Sequence, residues 1–108
     1  MKKFFLVVSA LLMIVGNAAP GFSDEKKAMT GEELFKEHCA LCHPDGGNII
    51  NPAKSLRKAD LETHGIRTKA DIVNKMRHPG KGMTSWSAAT LPDSIAEKIA
   101  DYILKTFQ

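Results

Sequence analysis

The chain has 108 residues, a formal net charge of +3, two cysteines and 6% aromatic residues. That length holds one small domain. Too few aromatics stand beside the basic residues to favour nucleic acid, and a bridge between Cys39 and Cys42 would close a loop too short to constrain an unfolded chain much.

The chain opens with Lys2 and Lys3, then the apolar run FFLVVSALLMIV, Phe4 to Val15, then the small residues of GNAAPGFS. That order predicts a secretory signal peptide over residues 1–23, cut after Ala18 or after Ser23. The apolar run is short of the roughly 20 residues a membrane span needs. No cysteine stands near it, which excludes a lipidated N-terminal cysteine. DEKKA then reads as part of a short disordered lead, 24–29, before a domain over 30–108. Removing the signal takes two lysines and no acid, leaving thirteen basic residues against twelve acidic. From Ala53 to Lys81 eight Lys/Arg face three acids, so a basic face is expected from the middle of the chain. A domain of this size has a marginal core and usually needs a staple, a metal or a cofactor.

Four helical segments follow, with no β-alternation. The first starts at Thr30, where Glu33 three places on completes a capping-box pattern. Leu34, Phe35, His38, Cys39 and Cys42 share one helical stripe, and PDGGN breaks the chain after it. The second, NPAKSLRKADLETHG, is expected as one segment with Asn51 as N-cap, Pro52 at the first position and Gly65 past its end. The third, TKADIVNKMRH, has Thr68 as N-cap and Asp71 at its third position, and Pro79 stops it. An open loop, HPGKGMTSW, precedes the last and strongest helix, Pro92 to Phe107. There Ile95, Ile99, Tyr102, Ile103 and Phe107 form the apolar stripe, with Ala96 and Ala100 allowing close packing.

Cys39, Cys42 and His43 form C-x-x-C-H, the attachment signature of c-type haem. Two thiols about one helical turn apart can add to the two vinyl groups of a porphyrin, and the next residue can give the iron an imidazole nitrogen. Cys39 and Cys42 are thus the expected thioether positions for one covalently bound haem c, and His43 the proximal iron ligand. A thioredoxin-type dithiol would need a βαβ setting, and a structural zinc site would need four ligands. For the second iron ligand Met83 is the first candidate, in a loop whose glycines let backbone approach the ring. A thioether ligand there would make a closed, electron-transferring site. Met76 stands among core residues of the third helix, and Met29 precedes the first. His64 and His78 fit as helix-end residues, and His38 is poorly placed to reach the iron's far side.

From Gly31 to Tyr102 the chain resembles the class I c-type cytochromes, in detail the cytochrome c6 type. The resemblance rests on GEELFKEHCALCH, on GGNIINPAKSLRKADLETHGI, on the position of Met83 and on IADYIL. It implies an all-α fold of three to four helices around one covalent haem, the first and last helices crossing at Gly31, Ile99 and Tyr102. It also implies an exported, monomeric electron carrier without a catalytic residue, working by Fe(II)/Fe(III) transfer in the periplasm, or the thylakoid lumen if photosynthetic. Redox proteins would dock through an acidic surface, with no nucleic acid and no permanent membrane anchor. The alternatives are a haem peroxidase or gas sensor with a labile methionine, and a haem subunit of a membrane oxidoreductase. Thr84-Ser85-Trp86 departs from the family's Pro-Ala-Phe after the methionine, with Trp86 at the aromatic place, and Lys75 stands where the family often has glutamine. Asn51, Lys54 and Arg57 are candidates to lie near the haem propionates.

Overall fold

A computed structural model describes residues 28–108; the expected signal peptide and most of the lead lie outside the described residues. Among the described residues the regular structure is helical: α1 (Gly31–His38), α2 (Lys58–Thr63), α3 (Lys69–Arg77) and α4 (Asp93–Thr106), with short 3₁₀ turns at Pro44–Gly46 and Pro52–Lys54.

The start of α1 is set by the Thr30–Glu33 capping box. The Glu33 N–H donates to Thr30 Oγ1 at 3.2 Å, and the Thr30 N–H donates back to Glu33 Oε1 at 3.4 Å. Thr68 and Asp71 repeat the device on α3. Two of the four N–H groups left open at each helix start are thereby satisfied.

Helix α4 runs through the middle of the core, burying Ile95, Ala96, Ile99, Ala100 and Ile103. Helix α1 crosses it so closely that a Cβ on Gly31 would overlap the Lys98 carbonyl oxygen and stand 3.0 Å from Tyr102 Cβ. Leu34 and Phe35 fill the crossing, and Phe35 meets the rings of Tyr102 and Phe107, each at 5.3 Å between centroids. On another side Ile72 and Met76 of α3 join the same cluster.

The segment expected as one helix over 51–65 is broken in two. Asn51 caps only the turn Pro52–Lys54, through Ala53 N–H at 3.2 Å. Ser55 is then extended (φ −71°, ψ 168°), and α2 begins at Lys58. The break has a non-local cause: the Leu56 N–H donates to the Gly46 carbonyl at 2.7 Å, tying this segment to the turn after His43. Buried Ser55 completes the new start, accepting the Arg57 N–H at 3.2 Å and donating to the Asp60 carboxylate. Gly65 does take the left-handed place past the helix end, at φ +73°.

Candidate haem site

The last turn of α1 carries the chain into the cysteine motif. Cys39 closes the helix, its N–H donating to the Phe35 carbonyl at 2.8 Å. The Cys42 and His43 N–H groups both fold back onto the Cys39 carbonyl, at 3.2 and 2.9 Å. A single tight turn thus presents Cys39, Cys42 and His43 together. The two cysteines are not joined to each other. Burial, with Cys42 beside it, pushes the Cys39 thiol up to about 11. A redox dithiol needs a thiol pKa lowered into the physiological range, and the surroundings of Cys39 act in the opposite direction. Among the described residues no three His, Cys, Asp or Glu side chains converge as a metal-holding group.

The turn after the motif orients His43. Asp45 and Gly46 both take positive φ (53° and 79°), which curls the chain back until His43 Nδ1 lies 2.7 Å from the Gly47 carbonyl oxygen. A carbonyl only accepts, so Nδ1 carries the proton and Nε2 keeps its lone pair for a metal. Gly46 is required twice, since a Cβ there would also run into the Phe107 ring. The next loop is held to the motif by the Ile49 N–H on the Cys42 carbonyl at 3.0 Å. Asn48 organises it: Oδ1 accepts from the Ile50 and Asn51 N–H groups at 2.9 Å each, and Nδ2 donates to the Lys54 carbonyl at 3.0 Å.

Two adjoining cavities, of about 140 and 400 Å³, open beside the motif. Cys39, His43, Met83 and Trp86 line both. The smaller is walled by core residues such as Leu61, Ile72 and Leu91; the larger is bordered by His38, Cys42, Asn51 and Gly82. Met83 therefore comes to the same space as His43 from 40 residues downstream. Trp86 is half-buried, its ring edge-on to His38 at 5.3 Å between centroids. The chemistry of this donor set fits a haem. It offers one imidazole nitrogen with a fixed tautomer, one thioether, two neighbouring thiols, and a largely apolar wall.

The other candidates separate. Met76 is buried at the cavity wall, and His78 is the exposed C-cap of α3. His64 is exposed at the end of α2, with Nδ1 2.8 Å from the Asp60 carbonyl, yet its side borders the smaller cavity. Met29 packs against the core, and its carbonyl accepts from Lys98 Nζ at 3.2 Å. Asn51, Lys54 and Lys75 border the cavities, whereas Arg57 does not. Asn48, Ser55 and Lys81 are site residues that sequence reasoning missed. An Asn after Gly-Gly is a turn signal that marks Asn48 as worth a closer look.

The basic segment divides. Lys54, Lys75 and Lys81 border the cavities, while Lys58 and Arg67 flank a separate groove beside Phe107. Lys69 pairs with Asp101 at 3.8 Å, and Arg77 with Asp93 at 2.7 Å.

Comparison with known proteins agrees with this geometry. Residues 26–103 match the family described as cytochrome c oxidase, cbb3-type, subunit III. A cytochrome c6 of Cyanidium caldarium is 38% identical over 74 residues, which span 68% of this chain and 66% of that protein. The outer membrane cytochrome F of Geobacter sulfurreducens is 45% identical, with a TM-score of 0.71 over 72% of this chain and 99% of that one. Cytochrome c6 from the diatom Phaeodactylum tricornutum gives a TM-score of 0.64 at 32% identity, over 69% of this chain and 87% of that one. With its helices, its C-x-x-C-H turn and these relatives, the chain belongs to the class I cytochrome c family and is of the cytochrome c6 type.

Proposed function

We propose that the chain is an exported, monomeric single-haem electron carrier. Cys39 and Cys42 hold one haem c through thioether bonds, and His43 and Met83 are its iron ligands. The observation that carries the reading is the His43–Gly47 contact at 2.7 Å, which leaves Nε2 free to ligate beside a cavity that Met83 also lines. Haem c, when bound, supplies a one-electron iron couple. The residues around it hold rather than react. The Gly47 carbonyl fixes the imidazole, Asn48 fixes the loop beside it, and Leu61, Ile72 and Leu91 keep water from the inner wall. Two protein ligands kept in both oxidation states leave little to rearrange when an electron moves.

The rim supports an acidic redox partner. Lys54 and Lys81 border the larger cavity, and exposed Leu41, Ile49 and Ile50 lie on the stretch of chain that leads to Lys54. A basic rim with apolar residues suits brief, steered docking whose rate falls with salt. Export to the periplasm, or to a thylakoid lumen, rests on residues 1–23.

The test is spectroscopic. The ferric protein at neutral pH should show the weak near-infrared band of methionine-ligated haem and bind carbon monoxide slowly when reduced. High-spin iron with rapid carbon monoxide binding would overturn the carrier in favour of a gas sensor or peroxidase. The family description, an oxidase subunit, favours one second reading, work within a membrane complex. Among the described residues no helix is long and apolar enough to cross a membrane. Recovery of the haem-stained chain with washed membranes separates the two.

A further inference from the structure

We propose that Arg77 is the positioning residue that determines how firmly Met83 stays in the site; this rests on the reading of Met83 as an iron ligand. The loop between α3 and α4 leaves α3 through Pro79 and carries two glycines just before Met83. It contains Gly80 and Gly82, the latter at φ +86°, and no proline between Met83 and Trp86. A ligand on such a loop departs readily unless the loop is closed elsewhere.

The closure is at its base. The Trp86 N–H donates to the Met76 carbonyl at 2.8 Å, and Ser85 Oγ donates to the Arg77 carbonyl at 2.8 Å. The Arg77 side chain then spans the same gap. Nη1 donates to the Trp86 carbonyl at 3.0 Å, and Nη2 to Asp93 Oδ1 at 2.7 Å. One guanidinium thus joins the end of α3, the chain three residues past Met83, and the first residue of α4. Its planar fork serves two acceptors at once, which an ammonium at one point does not.

Of the two contacts, the carbonyl is the one that acts on Met83. The Asp93 side chain is 77% exposed, so its charge is largely solvated and its pairing weak in effect. The Arg77 side chain is only 16% exposed, and its bond to Trp86 is shielded. Trp86 also lines both cavities, so the same bond fixes a wall of the site. Arg77 itself borders neither cavity and acts through the loop.

The experiment uses the full-length ferric holoprotein, with imidazole as the competing ligand and the near-infrared band as the marker of Met83. Arg77→Met should bind imidazole roughly 3- to 10-fold more tightly than the natural chain, the worth of one net hydrogen bond, and lose the band at lower temperature. Arg77→Lys should fall between, and Asp93→Asn should stay within about twofold. Thr30→Ala weakens the fold at the start of α1, away from the loop, and should leave imidazole affinity unchanged. The clamp is overturned if both Arg77 variants bind imidazole as the natural chain does, or if Thr30→Ala raises affinity as much as they do. If Arg77→Met does not fold, Arg77→Lys against Thr30→Ala decides alone. A natural ferric protein without the band overturns the Met83 reading and the clamp with it. A band that is present, with affinities that do not move, overturns the clamp alone.

Discussion

Gly31→Ala adds one methyl group where the two longest-range helices of the fold cross. Two effects oppose. Alanine favours helix over glycine by up to about 1 kcal/mol, and by less at the first helical position, where Gly31 stands. Against this, the new Cβ would overlap the Lys98 carbonyl oxygen and stand 3.0 Å from Tyr102 Cβ. The first obstacle is helix backbone, so no rotamer change removes it. Overpacking of this kind costs about 1–3 kcal/mol, occasionally more. The collision therefore wins, and after the helix gain is subtracted a net loss of about 1–2 kcal/mol is expected. In a domain this small, that is a fall of roughly 5–15 °C in Tm. Urea unfolding of the holoprotein, followed by far-ultraviolet dichroism, should show a lower midpoint with an unchanged slope. Adding Tyr102→Ala should give no rescue, because both obstructing atoms, the Lys98 oxygen and the Cβ at 102, remain. A Gly31→Ala protein within about 0.5 kcal/mol of the natural one would refute the close crossing.

Ser55→Ala should cost about 1–3 kcal/mol in urea unfolding, because it strips the Asp60 carboxylate of a buried hydroxyl donor and the Arg57 N–H of its acceptor. The Arg67 and Thr68 N–H groups, each 3.0 Å from Asp71 Oδ2, hold its carboxyl below the usual carboxylate range. Its contribution is therefore full above the unfolded-state pKa and lost as pH falls through the depressed native value. Asp71→Asn should accordingly flatten the acid limb of a stability–pH profile and leave the shape of the neutral-to-alkaline part unchanged. Lys54→Glu with Lys81→Glu should slow association with an acidic redox partner several-fold at low salt and much less at high salt, read by stopped-flow electron transfer. A changed urea slope in the Ser55 variant would point to a change in the unfolded state instead.

What the sequence disclosed follows the range of the interactions involved. Thr30–Glu33 and Thr68–Asp71 are contacts three residues apart, so the residue types alone announce them. The turn of Cys39, Cys42 and His43 is likewise closed by bonds within four residues. The division of 51–65 was not legible, because the bond that breaks the helix comes from Gly46, ten residues before Leu56. Periodicity saw the apolar positions and had no access to that competitor. Arg77 was counted as one cation of a basic stretch, since nothing local marks a guanidinium that reaches Trp86 and Asp93. Lys54 was a candidate for the propionates and Lys75 was marked by its departure from the family's glutamine, whereas Lys81 was legible only as charge; that all three border one pair of cavities depends on three separate segments.

The cavity walls and the hydrophobic core are the same residues. Leu61, Ile72, Met76, Leu91 and Ile103 belong to the buried cluster and also line the smaller cavity. A chain this short buries little apolar surface by itself. A group seated there would complete their packing, so binding it and folding draw on one set of contacts. The two proposed ligands show the same economy of construction. His43 stands in a turn and Met83 in a loop, neither inside a helix. Each is fixed by hydrogen bonds to neighbouring backbone: Gly47 for the imidazole, Met76, Arg77 and Trp86 for the methionine loop. The two ends of the site are unequal in this respect. His43 is covalently close to two cysteines and held within a four-residue turn, whereas Met83 depends on a clamp nine residues wide. Any perturbation that loosens the site should therefore release Met83 before His43.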